Sequence, residues 1–269
     1  MVNEFELRKQ ICEVGRRIYE RNMAASNDGN ISVKLNDKEW LCTPTGVSKG
    51  FMTPDFICKV DAKGNVIQAN GNYRPSSEIK MHMRVYEKRE DVTAVVHAHP
   101  SYATSFAIAG IPLTQPIMPE AVIFLGCVPI VEYGTPSTME IPDNVEKYLQ
   151  HYDAVLLESH GALSWGRDLM SAYHMMESLE FYAELLYKSK VLGGPKELSP
   201  DKVKRLYELR KQFGIPGRHP AELCLNKAGT NCHNCSISLD SGSKMEAGGA
   251  SDALVKEITE KVIRSLGAK

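Results

Sequence analysis

The chain lacks an excess of charge of either sign: 32 lysines and arginines stand against 33 aspartates and glutamates, a formal net charge of −1. With no global field to draw it to phosphate backbones or anionic lipid, neither nucleic acid nor a membrane surface is expected as a partner. A small-molecule role is favoured. Long apolar runs are missing as well. The first 22 residues interleave charged with apolar side chains, which argues against a secretory signal or membrane span and for a cytoplasmic protein. Nor is there a disulfide framework, since most of the seven cysteines stand singly in apolar or mixed segments (Cys12, Cys42, Cys58, Cys127), as reduced thiols do. No internal repeat occurs, and the regular βαβ alternation of a doubly wound sheet is absent.

What is present is ample apolar material: 269 residues at 43% hydrophobic can bury one main core. Leu7, Ile11, Val14 and Ile18 recur at helical spacing, so residues 5–23 read as an amphipathic helix. Ile31, Val33 and Leu35 alternate with polar residues, Asn36-Asp37 makes a turn, and residues 39–43 return as the second arm of a hairpin. Two more strands, 56–60 and 66–68, flank a turn at Lys63-Gly64-Asn65. A helix over 77–88, a β-branched strand over 92–96, a covered strand over 153–158 and helices over 169–192 and 199–213 follow. The pattern predicts an α/β fold over residues 1–220: a single-domain α/β sandwich with a largely antiparallel central sheet covered by helices.

The chemistry-bearing residues sit at element ends. In extended chain, residues i and i+2 face the same side, so His97 and His99 offer two imidazoles to one point. His160 follows the covered strand and precedes Gly161, a second strand end, and three histidines would leave a coordination position open. The other histidines (His82, His151, His174, His219, His233) read as non-ligands, although His82 lies one helical turn after Glu78. In Arg74-Pro75-Ser76-Ser77-Glu78, hydroxyls and free amides at a helix start can hold a phosphate, although the same residues equally fit an ordinary N-cap with Glu78 complementing the helix dipole. Asn27-Asp28-Gly29-Asn30 and Thr43-Pro44-Thr45-Gly46 are by themselves explicable as turns.

Taken in order, SNDGNIS, TPTG, RPSSE, HAHP and SHG resemble the class II aldolase/adducin family over about residues 5–212. The resemblance implies Zn2+ as cofactor, held by His97, His99 and His160, with Glu78 as catalytic acid/base that can also occupy the metal at rest. It also implies that Gly29, Asn30, Thr45, Gly46, Ser76 and Ser77 bind the phosphate of a phosphorylated ketose, and that the protein is a homotetramer. The expected reaction is retro-aldol cleavage of a ketose 1-phosphate, L-fuculose 1-phosphate or a close relative, to dihydroxyacetone phosphate and a short aldehyde. Glutamate as the third residue of the Ser-Ser-acid motif is as in the family's aldolases, whereas the 4-epimerases it resembles carry aspartate. A methylthioribulose-phosphate dehydratase and an adducin-like binding protein are the remaining alternatives, the latter disfavoured by the complete set of histidines. A tyrosine found in the fuculose-phosphate enzymes after an Ile-Pro is missing here, where Ile111-Pro112 leads to Pro116; Tyr133, Glu120 or Tyr207 are candidates for its proton-transfer role.

Beyond the main domain, residues 221–235 carry Cys224, Cys232 and Cys235, a lone C-x-x-C with one upstream thiol that reads as tail cysteines or as a second metal site. Residues 236–252 have linker composition. In residues 253–269, Leu254, Val255, Ile258, Val262 and Leu266 return at helical spacing. This tethered helix resembles the encapsulation peptides of bacterial microcompartments, which implies shell proteins as partners and a place in a shell lumen. The alternative is a final helix docked on its own enzyme.

Overall fold

Period-two alternation of buried side chains organises the computed structural model, which describes residues 3–221. Eight strands, β1 (Asn30–Lys34), β2 (Trp40–Cys42), β3 (Cys58–Val60), β4 (Val66–Gln68), β5 (Ala94–Ala98), β6 (Ile130–Val131), β7 (Ala154–Leu157) and β8 (Gly161–Gly166), form one sheet. Their order is β4-β3-β2-β1-β5-β8-β7-β6, and only the β6–β7 pair is parallel. The helices are α1 (Glu4–Glu20), α2 (Ile79–Lys88), α3 (Ser101–Ile108), α4 (Pro119–Phe124), α5 (Glu140–Glu146), α6 (Leu169–Val191) and α7 (Pro200–Gln212).

Alternate residues of each central strand enter different cores. Ala94, Val96 and Ala98 of β5, with Ala154 and Leu156 of β7, join Ile11 of α1, Phe106 of α3 and Met176 of α6. Val95 of β5, Val155 of β7, and Leu163 and Trp165 of β8 join Val85 of α2 and Val145 of α5 on the opposite face. The result is a sheet between two helical layers, the α/β sandwich expected from the sequence. Because both faces are buried, a one-residue slip would exchange every side chain between cores, so the register is strongly specified.

The differences from expectation are local. The strand predicted over 56–60 begins only at Cys58, because Pro54–Phe56 is a 3-10 turn started by Pro54. Helix α2 begins at Ile79, two residues late, because residues 76–79 close a turn through Ile79 N–H to the Ser76 carbonyl at 3.1 Å. Glu78 is therefore the cap residue rather than part of the first turn. Strand β8 has no β-branched residue; its pairing with β5 and β7 makes it a strand where local propensity does not. The expectations for residues 222–269, including Cys224, Cys232, Cys235 and the terminal helix, fall outside the described residues. Among the described residues, no helix is long and apolar enough to cross a membrane.

Helix α3 follows directly on the HAHP segment and has no side-chain cap of its own, Pro100 being its N-cap. The carboxylate of Glu180 on α6 substitutes from a distance, accepting the amides of Tyr102 at 3.0 Å and Ala103 at 2.8 Å. Replacing Glu180 with alanine strands both amides and should lower unfolding free energy by about 1–3 kcal/mol. Glu180→Gln, which keeps a carbonyl acceptor, should fall between. Equal denaturation midpoints for wild type and Glu180→Ala would show that the cap contributes nothing.

Candidate active site

Three strand ends and one helix start meet at one edge of the β1–β5–β8 group. His97 is the penultimate residue of β5 and fully buried, on the same face as Val95, the side covered by α2. His99 lies just beyond the strand and is tied down by its own N–H to the Met23 carbonyl at 2.8 Å, in the segment that follows α1. His160 occupies the turn between β7 and β8, next to Ser159, whose φ of 54° is a left-handed conformation seldom taken by a non-glycine residue. One ligand atom from each of the three lies within 4.8 Å of the others.

Glycine makes this convergence possible at two positions. A Cβ on Gly161 would sit 2.6 Å from the Ala98 carbonyl oxygen and 2.7 Å from Cδ2 of His99. At Gly29, φ is +75°, and a Cβ would meet the His97 carbonyl oxygen at 2.9 Å. The glycines of the SHG and NDGN motifs thus let neighbouring backbone close on the histidine strand.

The hydrogen bonds around the rings decide what they can hold. His97 Nδ1 lies 2.9 Å from the Ala162 carbonyl, an acceptor only, so Nδ1 carries the proton and Nε2 a lone pair. His99 Nδ1 stands 3.3 Å from an Asp28 carboxylate oxygen, which assigns its proton the same way. The two Nε2 atoms then face each other at 3.1 Å as two lone pairs, an arrangement that suits a cation between them. Burial pushes His97 down to about 3 and lowers His99, so both rings are neutral and competent as ligands at physiological pH. The residues fit a metal ion.

Glu78 completes the group: Oε1 is 3.1 Å from His160 Nε2, and Oε2 is 3.5 Å from His97 Nε2 and accepts the Asn30 amide at 2.8 Å. Burial works against its charge, but the hydrogen bonds from His160 and the Asn30 amide favour the carboxylate, and the carboxyl is held below the ordinary range. Asn30 is 4% exposed with Oδ1 unpartnered. Its N–H is engaged by Glu78, which leaves the carbonyl oxygen to accept from a ligand hydroxyl.

Beside these residues lies a cavity of about 250 Å³, lined in part by Gly29, Asn30, Thr45, Ser76, Ser77 and Glu78. The two serine- and threonine-bearing loops are joined through backbone, Thr45 N–H to the Arg74 carbonyl at 2.8 Å and Ser76 N–H to the Thr43 carbonyl at 3.3 Å. Gly46 follows Thr45 with φ +72° and is not itself in the lining. Sequence reasoning missed Ser137, which bonds Ser77 Oγ at 2.7 Å, and Lys49; neither stands in a motif. None of the three candidates for a second proton-transfer group borders the cavity within this chain. Tyr207 lies on α7, packed on His219 with ring centroids 5.3 Å apart. His82 is buried with Nδ1 at 2.7 Å from Ser32 Oγ, and His219 is buried with Nε2 at 2.9 Å from the Val122 carbonyl.

Because Gly161 sets the β5–β8 approach, Gly161→Ala should displace the His99 ring and weaken divalent-metal binding by about tenfold or more while leaving the far-ultraviolet spectrum unchanged. Competition against a chromogenic chelator checks this; wild-type affinity in the variant would contradict it.

Known proteins share this architecture. Residues 9–187 match the family model described as Class II Aldolase and Adducin N-terminal domain. An L-fuculose phosphate aldolase from Methanococcus maripaludis is 32% identical over 66% of this chain and 94% of its own length. A 3-oxo-tetronate 4-phosphate decarboxylase from Cupriavidus necator is 30% identical over 79% of this chain and 98% of its own. Among solved structures, an L-fuculose 1-phosphate aldolase superposes with a TM-score of 0.70 at 27% identity, covering 78% of this chain and 97% of that one. The match over most of the folded domain, with the site built at its strand ends, makes this chain a member of the class II aldolase and adducin family.

Proposed function

We propose that this lyase cleaves a ketose 1-phosphate, L-fuculose 1-phosphate or a close relative, to dihydroxyacetone phosphate and a short aldehyde such as lactaldehyde. The observation that carries the reading is the convergence of His97, His99, His160 and Glu78 beside a cavity lined by Gly29, Thr45, Ser76 and Ser77. In this reading the three histidines hold zinc, which three imidazole nitrogens with an open position suit. Such an ion, when bound, would supply Lewis acidity to polarise a ketose carbonyl. Ser76, Ser77, Thr45 and the amides around Gly29 and Asn30 hold the phosphate and so fix C3 and C4 relative to Glu78. The C4 hydroxyl passes its proton to the second proton-transfer group, the C3–C4 bond breaks with its electron pair left on C3 and the C4 oxygen as the aldehyde carbonyl, and Glu78 delivers to C3 a proton it has taken up from solvent. Since the imidazoles and Asn30 hold Glu78 deprotonated, ligand entry must loosen those contacts before the carboxyl can carry a proton.

A homotetramer is part of this proposal. Exposed Ile108, Ile111 and Phe124 suit burial between copies, and a neighbouring copy could supply the second proton-transfer group. A second reading has specific support in the decarboxylase relative: loss of carbon dioxide from a 3-oxo acid phosphate leaves the same electron pair beside a carbonyl. The two differ in the carbon fragment released, so assaying aldehyde and carbon dioxide separately distinguishes them.

Glu78→Gln should lower kcat by about 10²- to 10⁴-fold with a much smaller change in KM, because the group moves a proton rather than holding the phosphate. His97→Ala, or strong chelator added to wild type, should abolish dihydroxyacetone phosphate release. Undiminished turnover in Glu78→Gln, or full activity of chelator-treated, metal-free protein, would refute the mechanism.

We also propose that residues 253–269 direct the enzyme to a microcompartment lumen, supported by their amphipathic spacing and by the linker composition before them. Truncation after Ser236 should leave cleavage intact and abolish co-purification with shell proteins. Loss of activity or of the tetramer on truncation would assign the segment to the enzyme's own assembly.

A further inference from the structure

Lys49 is only 2% exposed, and its Nζ donates to two backbone carbonyls, of Asn27 at 2.9 Å and of Val47 at 2.8 Å. An ammonium has three donors, so these leave one. Among the described residues, no carboxylate is in ion-pair contact with it. Buried charges in proteins are ordinarily paired, and this one is not. Burial pushes it down to about 8 even though Asp28 and Glu78 act in the opposite direction.

The position is built rather than incidental. Lys49 opens the 3-10 turn Lys49–Phe51, on which α1 packs so closely that a Cβ at Gly15 would meet the Lys49 carbonyl oxygen at 2.8 Å. The two carbonyls it engages belong to the loops that bring Gly29 and Thr45 to the cavity. Lys49 itself lines that cavity, and it is the one lysine or arginine among the described residues that do. The hydroxyls and amides of Ser76, Ser77, Thr45 and Gly29 can donate hydrogen bonds to an anion but cannot neutralise it.

We propose that Lys49 is the cation that receives the phosphate group of the ligand, supplying both the free donor and the charge that the rest of the cavity lacks. This rests on the phosphate reading of the cavity given above. A dianion placed against a desolvated ammonium gains a charge-assisted hydrogen bond in a setting of weak screening. The two carbonyl contacts hold the ammonium in place beforehand, so little ordering remains for the bound state.

The test is calorimetric titration of inorganic phosphate into the full-length, zinc-loaded protein at pH 7, comparing wild type with Lys49→Met, which keeps length and loses charge. Binding should weaken about tenfold or more. In steady-state cleavage, KM should rise by a similar factor with kcat little changed, whereas a lysine that merely ties the loops together would affect kcat and thermal stability with no selective loss of phosphate affinity. If wild type does not bind phosphate, the phosphate reading of the cavity fails and this assignment with it. If wild type binds and folded Lys49→Met binds equally well, the assignment to Lys49 is overturned while the reading of the cavity stands. Should Lys49→Met not fold, wild type labelled with ¹³C at lysine Cε gives the answer. Lys49, pushed down to about 8 by burial, should shift its midpoint upward on saturation with phosphate. A midpoint unmoved by phosphate would overturn the proposal.

Discussion

The site depends on how closely β5 and β8 approach at the end where β5 carries His97 and His160 immediately precedes β8. Antiparallel pairing of His97 with Leu163 and of Ala98 with Ala162 brings the start of β8 against the end of β5. Only a residue without a Cβ fits at Gly161, where the Ala98 carbonyl would lie 2.6 Å away. That contact carries His160 toward His97 and His99, and the Ala162 carbonyl at the same crossing fixes which nitrogen of His97 is protonated. Sheet geometry and ring tautomer thus have one origin. A rigid crossing of this kind positions ligands better than a loop, because strand register on a doubly buried sheet cannot slip without exchanging both cores.

Electrostatics follow from that packing. Burial in this desolvated corner keeps the His97 and His99 imidazoles neutral, and the carboxylate of Glu78 stays charged beside them, so these residues present lone pairs and negative charge to one point. A cation answers that demand. The cavity that His99, His160 and Glu78 border carries donors of another kind beside them, from Ser76, Ser77, Thr45 and the buried Lys49.

Much of this was legible in the sequence, for identifiable reasons. The spacing of His97 and His99 reports strand geometry directly, and the hairpin formed by β1 and β2 announced itself through alternation and Asn36-Asp37. Glu78 was visible through its motif, but that its carboxyl turns toward the histidines depends on a turn at residues 76–79 that propensity does not reveal. β8 escaped because Gly161, Ala162 and Ser164 have little strand preference and are held by partners distant in sequence. Lys49 and Ser137 escaped for a related reason: each reaches the cavity through tertiary packing, Lys49 from a turn clamped under α1 and Ser137 through a hydroxyl contact with Ser77. Helix α3 likewise gave no cap signal in its own sequence, its acceptor lying on α6.

The central claim is that this strand crossing holds a zinc ion through three imidazoles. X-ray absorption at the zinc K-edge on the purified full-length protein tests it most directly. The account predicts about one zinc per chain, with imidazole nitrogens and oxygen at about 2.0–2.1 Å and no sulfur. A sulfur shell near 2.3 Å, as cysteine ligation would give, or protein that takes up no zinc, would contradict it.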